Sequence, residues 1–247
     1  MEKIFERLMG IKTHGRDGTS VIEMGEEDSL FHEQVKALRS KFEYKVDMLK
    51  YRTVAVTSAI AGEGKTVLTA NLAYHLAAGG RKKVLIIDVD FRKSDLARGL
   101  KISPLPGLSE YLSGSVTEKD ILRNYFMPGL YVITAGTRVS NPGDLLTGEK
   151  FRSFLKRISG EFDIVILDSP PILPVADTLS LRDQVNGFIF VYRARMTPHI
   201  MFRQAANEIG EKNIIGVILN GVEPQNEQYY KRYYGKYYSK NTPITGD

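Results

Sequence analysis

Apolar positions recur along this chain in two different rhythms. From Ser29 to Leu49, the residues Leu30, Val35, Leu38, Phe42, Val46 and Leu49 stand three to five apart. That is the spacing of one helix face, and it predicts a first helix over 29–49. Beyond it, short and nearly continuous apolar runs alternate with helical stretches. The runs predict strands at Thr53 to Thr57, Lys83 to Asp88, Leu130 to Thr134, Ile164 to Asp168, Gly187 to Tyr192 and Ile214 to Leu219. Helices are predicted at Lys65 to Ala78, Pro142 to Ile158 and Thr197 to Ile209. Strands that lack polar alternation are covered on both faces, and helices between them imply parallel crossovers. The expected fold class is therefore α/β, a doubly wound and mostly parallel sheet with helices on both faces.

The two ends of the chain read differently. Residues 1–28 mix glycine and charge with few apolar positions, which predicts a mobile arm with a short helix at Glu2 to Met9. At the other end Tyr229, Tyr230, Tyr233, Tyr234, Tyr237 and Tyr238 fall within ten residues, interleaved with Lys231, Arg232 and Lys236. Aromatic residues at helical spacing usually face a core. This cluster follows the last predicted strand and carries cations among its rings, so exposure is the better expectation.

Composition narrows the field. With 247 residues, 43% of them apolar, the chain can bury a sizeable core. It has no cysteine, which excludes disulfides and thiolate metal sites and is compatible with a reducing cytoplasm. No apolar run approaches the roughly 20 residues that span a bilayer, and the opening MEKIFERLMG lacks a signal-peptide core. His14, His32, His75 and His199 are scattered without metal-ligand spacing. The net charge of +5 is modest and predicts no nucleic acid partner; phosphate ligands or an anionic membrane surface account for it as well.

Three motifs carry chemistry. The segment SAIAGEGKT, Ser58 to Thr66, lies between a predicted strand and a predicted helix, the setting of a phosphate-binding loop. Backbone N–H groups around Gly62 to Lys65 can converge on phosphate oxygens, aided by the positive end of the following helix. Ala61, Gly62, Glu63, Gly64, Lys65, Thr66 and Val67 are the expected nucleotide contacts. Lys65 is placed to neutralise the β- and γ-phosphates, and the Thr66 hydroxyl to ligate Mg²⁺. The strict pattern has glycine five residues before Gly64, whereas this chain has Ala59. The second motif, VLIIDVDFR, ends a buried strand with Asp88 and Asp90 two residues apart, followed by Arg92. The third, VILDSPP, ends another strand at Asp168. Ligands of open parallel sheets bind beyond the carboxyl ends of the strands, so Asp88, Asp90 and Asp168 are expected to converge near Lys65. Asp168 is the expected holder of the metal or its water, Asp88 the acceptor of the attacking hydroxyl's proton and a second metal contact, and Asp90 an aid to the metal shell. Arg92 is expected to steady the site or a neighbouring subunit.

On these motifs the chain resembles the bacterial tyrosine kinases of polysaccharide synthesis and export, which are built on a P-loop fold. The likeness runs from about Ser29 to the C-terminus. It includes the phosphate loop, the Asp-x-Asp-x-Arg run, the Asp-Ser-Pro-Pro ending, NPGDLL (Asn141 to Leu146) and ILNGV (Ile218 to Val222). The resemblance implies a domain at 29–228 followed by a tail at 229–247, and an ATP- and Mg²⁺-dependent autokinase. It implies that the six tail tyrosines are phosphoacceptors, modified in trans within a homo-oligomer, with a ring as the implied form of assembly. Asn220 is implied to lie near the adenine. Glu33, Lys36 and Arg39 match a Glu-x-x-Arg-x-x-Arg assembly motif, with lysine in place of the first arginine. A separate transmembrane activator, other tyrosine-bearing protein substrates, and a cytoplasmic location at the inner membrane face are implied as well. Two alternatives remain at this point: a switching ATPase of the related partitioning group (ParA/MinD-like), and a nucleotide-controlled scaffold without kinase activity. The former group typically has an additional lysine early in its phosphate loop, and Ser58 to Ala61 contain none.

Overall fold

The strands are assembled into one sheet in a computed structural model that describes residues 30–222. The N-terminal arm and the tyrosine tail, with Tyr229, Tyr230, Tyr233, Tyr234, Tyr237 and Tyr238, lie outside the described residues. Helix α1 (Leu30–Leu49) leads into β1 (Thr53–Ser58), α2 (Lys65–Ala78) and β2 (Val84–Asp88). Three short helices follow, α3 (Leu96–Gly99), α4 (Leu108–Ser113) and α5 (Glu118–Ile121), then β3 (Arg123–Asn124) and β4 (Leu130–Ile133). Helices α6 (Pro142–Thr147) and α7 (Glu149–Ile158) precede β5 (Ile164–Asp168) and a 3₁₀ helix at Ala176–Leu181. Strand β6 (Gly187–Arg193), α8 (His199–Ile209) and β7 (Ile214–Asn220) complete the described fold.

The sheet order is β3-β4-β2-β5-β1-β6-β7. Every pairing is parallel except that of the edge strand β3 with β4. Alternate residues of each strand serve opposite faces, and each face has its own core. Leu85, Ile87, Val165, Leu167, Phe188 and Phe190 pack with Phe151, Phe154 and Ile158 of α7 and Ala205 and Ile209 of α8. Val54, Val56, Ile86, Ile166 and Ile189 pack on the other side with Phe42 and Val46 of α1 and Leu72, Ala73 and Leu76 of α2. Both sides of β1, β2 and β5 are buried throughout, which is why their sequences read as unbroken apolar runs.

The helix expected over Pro142–Ile158 is two helices. Gly148 between them is extended, with φ −63° and ψ 146°. Glycine is a poor helix former, and the break lets Leu146 and Phe151 both reach the core. Helix α8 begins at His199, two residues later than expected, because Pro198 adopts an extended conformation as its N-cap. The short antiparallel β3 was not anticipated; two residues are too few to show a period.

Candidate active site

The crevice beyond the carboxyl ends of β1, β2 and β5 gathers the three motifs. Strand β1 is central in the sheet and delivers the chain into the loop 59–64, and α2 begins at Lys65. Ala59 is fully buried and is absent from the residues with positive φ. A glycine is therefore not required there, and the small methyl group packs into the core beside Leu173, whose N–H reaches the Ala59 carbonyl at 3.1 Å. Gly64, by contrast, has φ 96°, and a Cβ there would lie 2.3 Å from Asn220 Nδ2. Gly64→Ala is expected to cost roughly 1–3 kcal/mol in strain and displacement. Urea unfolding of the variant should show that loss, and stability equal to wild type would contradict the close approach.

Asp88 and Asp168 are register partners on the adjacent strands β2 and β5, which places their backbones about 4.8 Å apart. Neither carboxyl is open to water: Asp88 is 0% exposed and Asp168 is 3% exposed. Asp88 accepts the Asp90 N–H at 3.0 Å through Oδ1 and the Ser94 hydroxyl at 2.5 Å through Oδ2. Burial, followed by the nearby Asp168, raises its pKa well above that of an ordinary aspartate. Asp168 is pushed up to about 6, chiefly by burial, against the opposing pull of the Lys65 ammonium and a hydrogen bond from Thr66. Its Oδ1 is buried without a hydrogen-bond partner among the described residues.

Asp90 does something different from what its spacing suggested. Strand β2 ends at Asp88, so the two-residue alternation no longer applies beyond it. Asp90 Oδ1 accepts the N–H groups of Arg92 and Lys93 at 3.2 and 2.9 Å, holding the turn that follows the strand. Arg92 reaches back to the 3₁₀ helix and pairs with both oxygens of Asp177, at 2.6 and 3.2 Å. Among the described residues no group of three or more acidic or histidine side chains gathers as a metal cage. The donor set that does fit a hard cation is the unpartnered Asp168 oxygen with the Thr66 hydroxyl, and Asp88 across the strand pair. A magnesium ion normally completes such a set with water and phosphate oxygens.

The Asp-Ser-Pro-Pro ending is locked by its own neighbours. Thr57 and Thr178 hydroxyls both donate to the Pro170 carbonyl, at 3.0 and 2.7 Å, and the Ser169 hydroxyl donates to Val56 at 2.9 Å. These bonds orient Asp168 toward the loop.

Comparison with known proteins agrees with this arrangement. Residues 51–185, more than half of the chain, match the AAA domain family. The tyrosine-protein kinase YwqD of Bacillus subtilis is 31% identical over 204 residues, spanning 82% of this chain and 86% of that protein. This chain belongs to the bacterial tyrosine-protein kinases. The crystallised kinase domain of the Escherichia coli tyrosine kinase ETK superposes with a TM-score of 0.73 at 31% identity, over 78% of this chain and 76% of that one. Against the tyrosine-protein kinase Ptk of Acinetobacter johnsonii, identity is 28% over 204 residues; the match covers 82% of this chain and 28% of that protein. The chain thus spans about a quarter of the length of several relatives it matches. The septum site-determining protein MinD of Pyrococcus horikoshii, crystallised with Mg-ADP, is 20% identical with a TM-score of 0.58 and shares the fold. The family fold is that of nucleotide-binding P-loop proteins.

Within this tyrosine-protein kinase fold, the other expected residues have surroundings of their own. The Glu63 side chain is turned inward and fully buried, so its contribution to the loop surface is its backbone. Asn220 sits against the loop at the end of β7, donating to the Glu63 carbonyl at 2.8 Å and accepting the Gly221 N–H at 2.9 Å. Val67 packs against the core from the first turn of α2. Glu33 and Lys36 form an ion pair at 2.9 Å on α1, and Arg39 donates to the His75 carbonyl of α2 at 3.3 Å. Ser94, Arg193 and Thr197 were not anticipated. Ser94 follows Asp88 closely in sequence, but a hydroxyl six residues after an acid is too common to be a signal. Thr197 and Arg193 lie more than 120 residues from Glu63, and nothing in the linear sequence links them to it. No described helix is long and apolar enough to cross a membrane.

Proposed function

We propose that this chain is an ATP-dependent protein-tyrosine autokinase that phosphorylates Tyr229, Tyr230, Tyr233, Tyr234, Tyr237 and Tyr238 on a neighbouring copy and regulates exopolysaccharide synthesis or export. The reading is carried by one observation: a phosphate loop, a lysine and two buried carboxylates of raised pKa meet at one crevice in a member of this family. ATP is the phosphoryl donor. The N–H groups from Gly62 to Lys65 and the Lys65 ammonium hold its phosphates and meet the charge that grows on the bridging oxygen. A tyrosine hydroxyl oxygen attacks the γ-phosphorus, the bond to the β-phosphate oxygen breaks, and ADP leaves. Asp88 takes the hydroxyl proton; burial and its neighbour raise its basicity toward that task. Thr66 and Asp168, with Asp88 facing them, would hold Mg²⁺, which supplies charge neutralisation on the phosphates when bound. Asn220, held beside the loop at the end of β7, would be the adenine contact.

Oligomerisation through the helix bearing Glu33, Lys36 and Arg39, other protein substrates, and recruitment to the inner membrane face by a separate transmembrane activator belong to the same reading. The ionisable tail also offers a switch: each phosphate adds about −1.5 to −2 charges beside Lys231, Arg232 and Lys236. The test is incubation of the full chain with Mg²⁺ and γ-labelled ATP followed by phosphosite mapping. Label is expected on residues 229–238. Release of free phosphate with no labelled tyrosine would favour a switching ATPase instead.

A further inference from the structure

Glu63 is an odd residue to find inside a phosphate loop. A carboxylate there adds negative charge beside the anion the loop is shaped to receive, and repulsion between like charges has to be offset by something local. Its surroundings supply the reason. Oε2 accepts the Ile60 N–H at 2.8 Å, and Oε1 accepts the Arg193 N–H at 3.0 Å and the Thr197 hydroxyl at 2.6 Å. Every group aimed at the side chain is a donor in this arrangement, and two of them are backbone N–H groups that cannot turn into acceptors. Glutamine is nearly the same size, but its NH₂ would face one of those N–H groups.

The grip is reciprocal. Arg193 Nη1 donates to the Gly62 carbonyl at 2.9 Å and Asn220 Nδ2 to the Glu63 carbonyl at 2.8 Å, so two successive carbonyls of the loop point away from the ligand side. Arg193 and Asn220 are register partners at the ends of β6 and β7, and the Ala194 N–H donates to the Asn220 carbonyl at 2.8 Å. The loop is therefore clamped on one side by the sheet's last two strands. Strand β7 ends at Asn220, and residues 223–247, with the tyrosines, continue the chain from there.

We infer that Glu63 is a positioning residue for the phosphate loop, and that the Glu63–Arg193–Asn220 brace couples nucleotide occupancy to the end of the last strand. The inference rests on the reading of the loop as a nucleotide site. Calorimetric titration of the full chain with ADP and Mg²⁺ separates the two. Wild type is expected to bind, and Glu63→Gln to bind about tenfold more weakly, the consequence of one buried N–H left unpaired. Thr197→Val, which keeps both backbone bonds to Glu63, is expected to lose less. Unchanged affinity in both variants overturns the positioning role, as does a lowered melting temperature with unchanged affinity in the folded fraction. A wild-type chain that binds no nucleotide overturns the nucleotide reading and this inference together. Hydrogen exchange on wild type tests the coupling without any variant: ADP should protect 59–64 together with 193–197 and 216–221. Protection confined to 59–66 would overturn the coupling.

Discussion

Lys65→Met is expected to lower kcat/KM for transfer from ATP to the tail by at least about a hundredfold while leaving the chain folded. Lys65 opens α2 and is only 8% exposed, so its ammonium is held near the phosphate site and poorly screened by water. Methionine preserves most of the stem and its packing. What it removes is the charge that meets the β- and γ-phosphate oxygens as the bond between them breaks. The variant should also betray itself at Asp168. The Lys65 charge pulls the Asp168 pKa down against the effect of burial, so without it that carboxyl should titrate above its wild-type value of about 6. Single-turnover transfer from labelled ATP, with carbon-detected NMR of the aspartate carboxyls, reads both effects. Activity within tenfold of wild type would remove Lys65 from the proposed machinery.

Asp168→Asn is expected to stabilise the nucleotide-free chain at neutral pH while abolishing most transfer. The native carboxyl has its pKa raised from 3.8 to about 6, chiefly by burial. A raised acid favours folding in its protonated form: that stabilisation is fully present below the unfolded value near 3.8 and is lost as pH rises through about 6. At neutral pH the wild-type fold therefore bears a cost of about 3 kcal/mol at most for holding the charge. Asparagine is neutral at every pH, and removing the charge also relieves Asp88, whose pKa is raised in part by Asp168. Thermal or urea unfolding from pH 4 to 8 should show wild type losing stability across this window and the variant losing much less. Added Mg²⁺ should stabilise wild type above pH 6 more than it stabilises the variant, because the oxygen it would use is the charged one. A variant less stable than wild type at pH 7.5, with the same pH slope, would sink this account of the pair.

Stability and function thus pull in opposite directions at this pair of strands. Two carboxyls on adjacent, fully buried strand ends are unfavourable for the empty fold. The same adjacency would serve the proposed proton transfer and would suit a hard cation beside a phosphate.

The linear sequence by itself determined the layers and the address of the site. Buried strands such as VLIID and IVILD bury both faces, so they must be nearly all apolar, and that pattern can be read without coordinates. The strand-to-helix turn at 58–66 is likewise a local matter of glycine conformations and helix start. What depended on tertiary structure is everything that joins distant segments or balances local propensity against packing. Gly148 splits a helix so that Leu146 and Phe151 can both reach one core, and Pro198 delays the next one by two residues while Thr197 turns to Glu63. One oxygen of Asp90 is taken by the turn that follows β2, because the strand has already ended at Asp88. Glu63 reads in the sequence as one more loop residue. Only when β6 comes to lie beside β1 and β7 beside β6, bringing Arg193, Thr197 and Asn220 with them, does its carboxylate become the point at which the loop is held. Hydrogen-bond donors more than a hundred residues away leave no periodicity in the chain, because their convergence is a property of the sheet order.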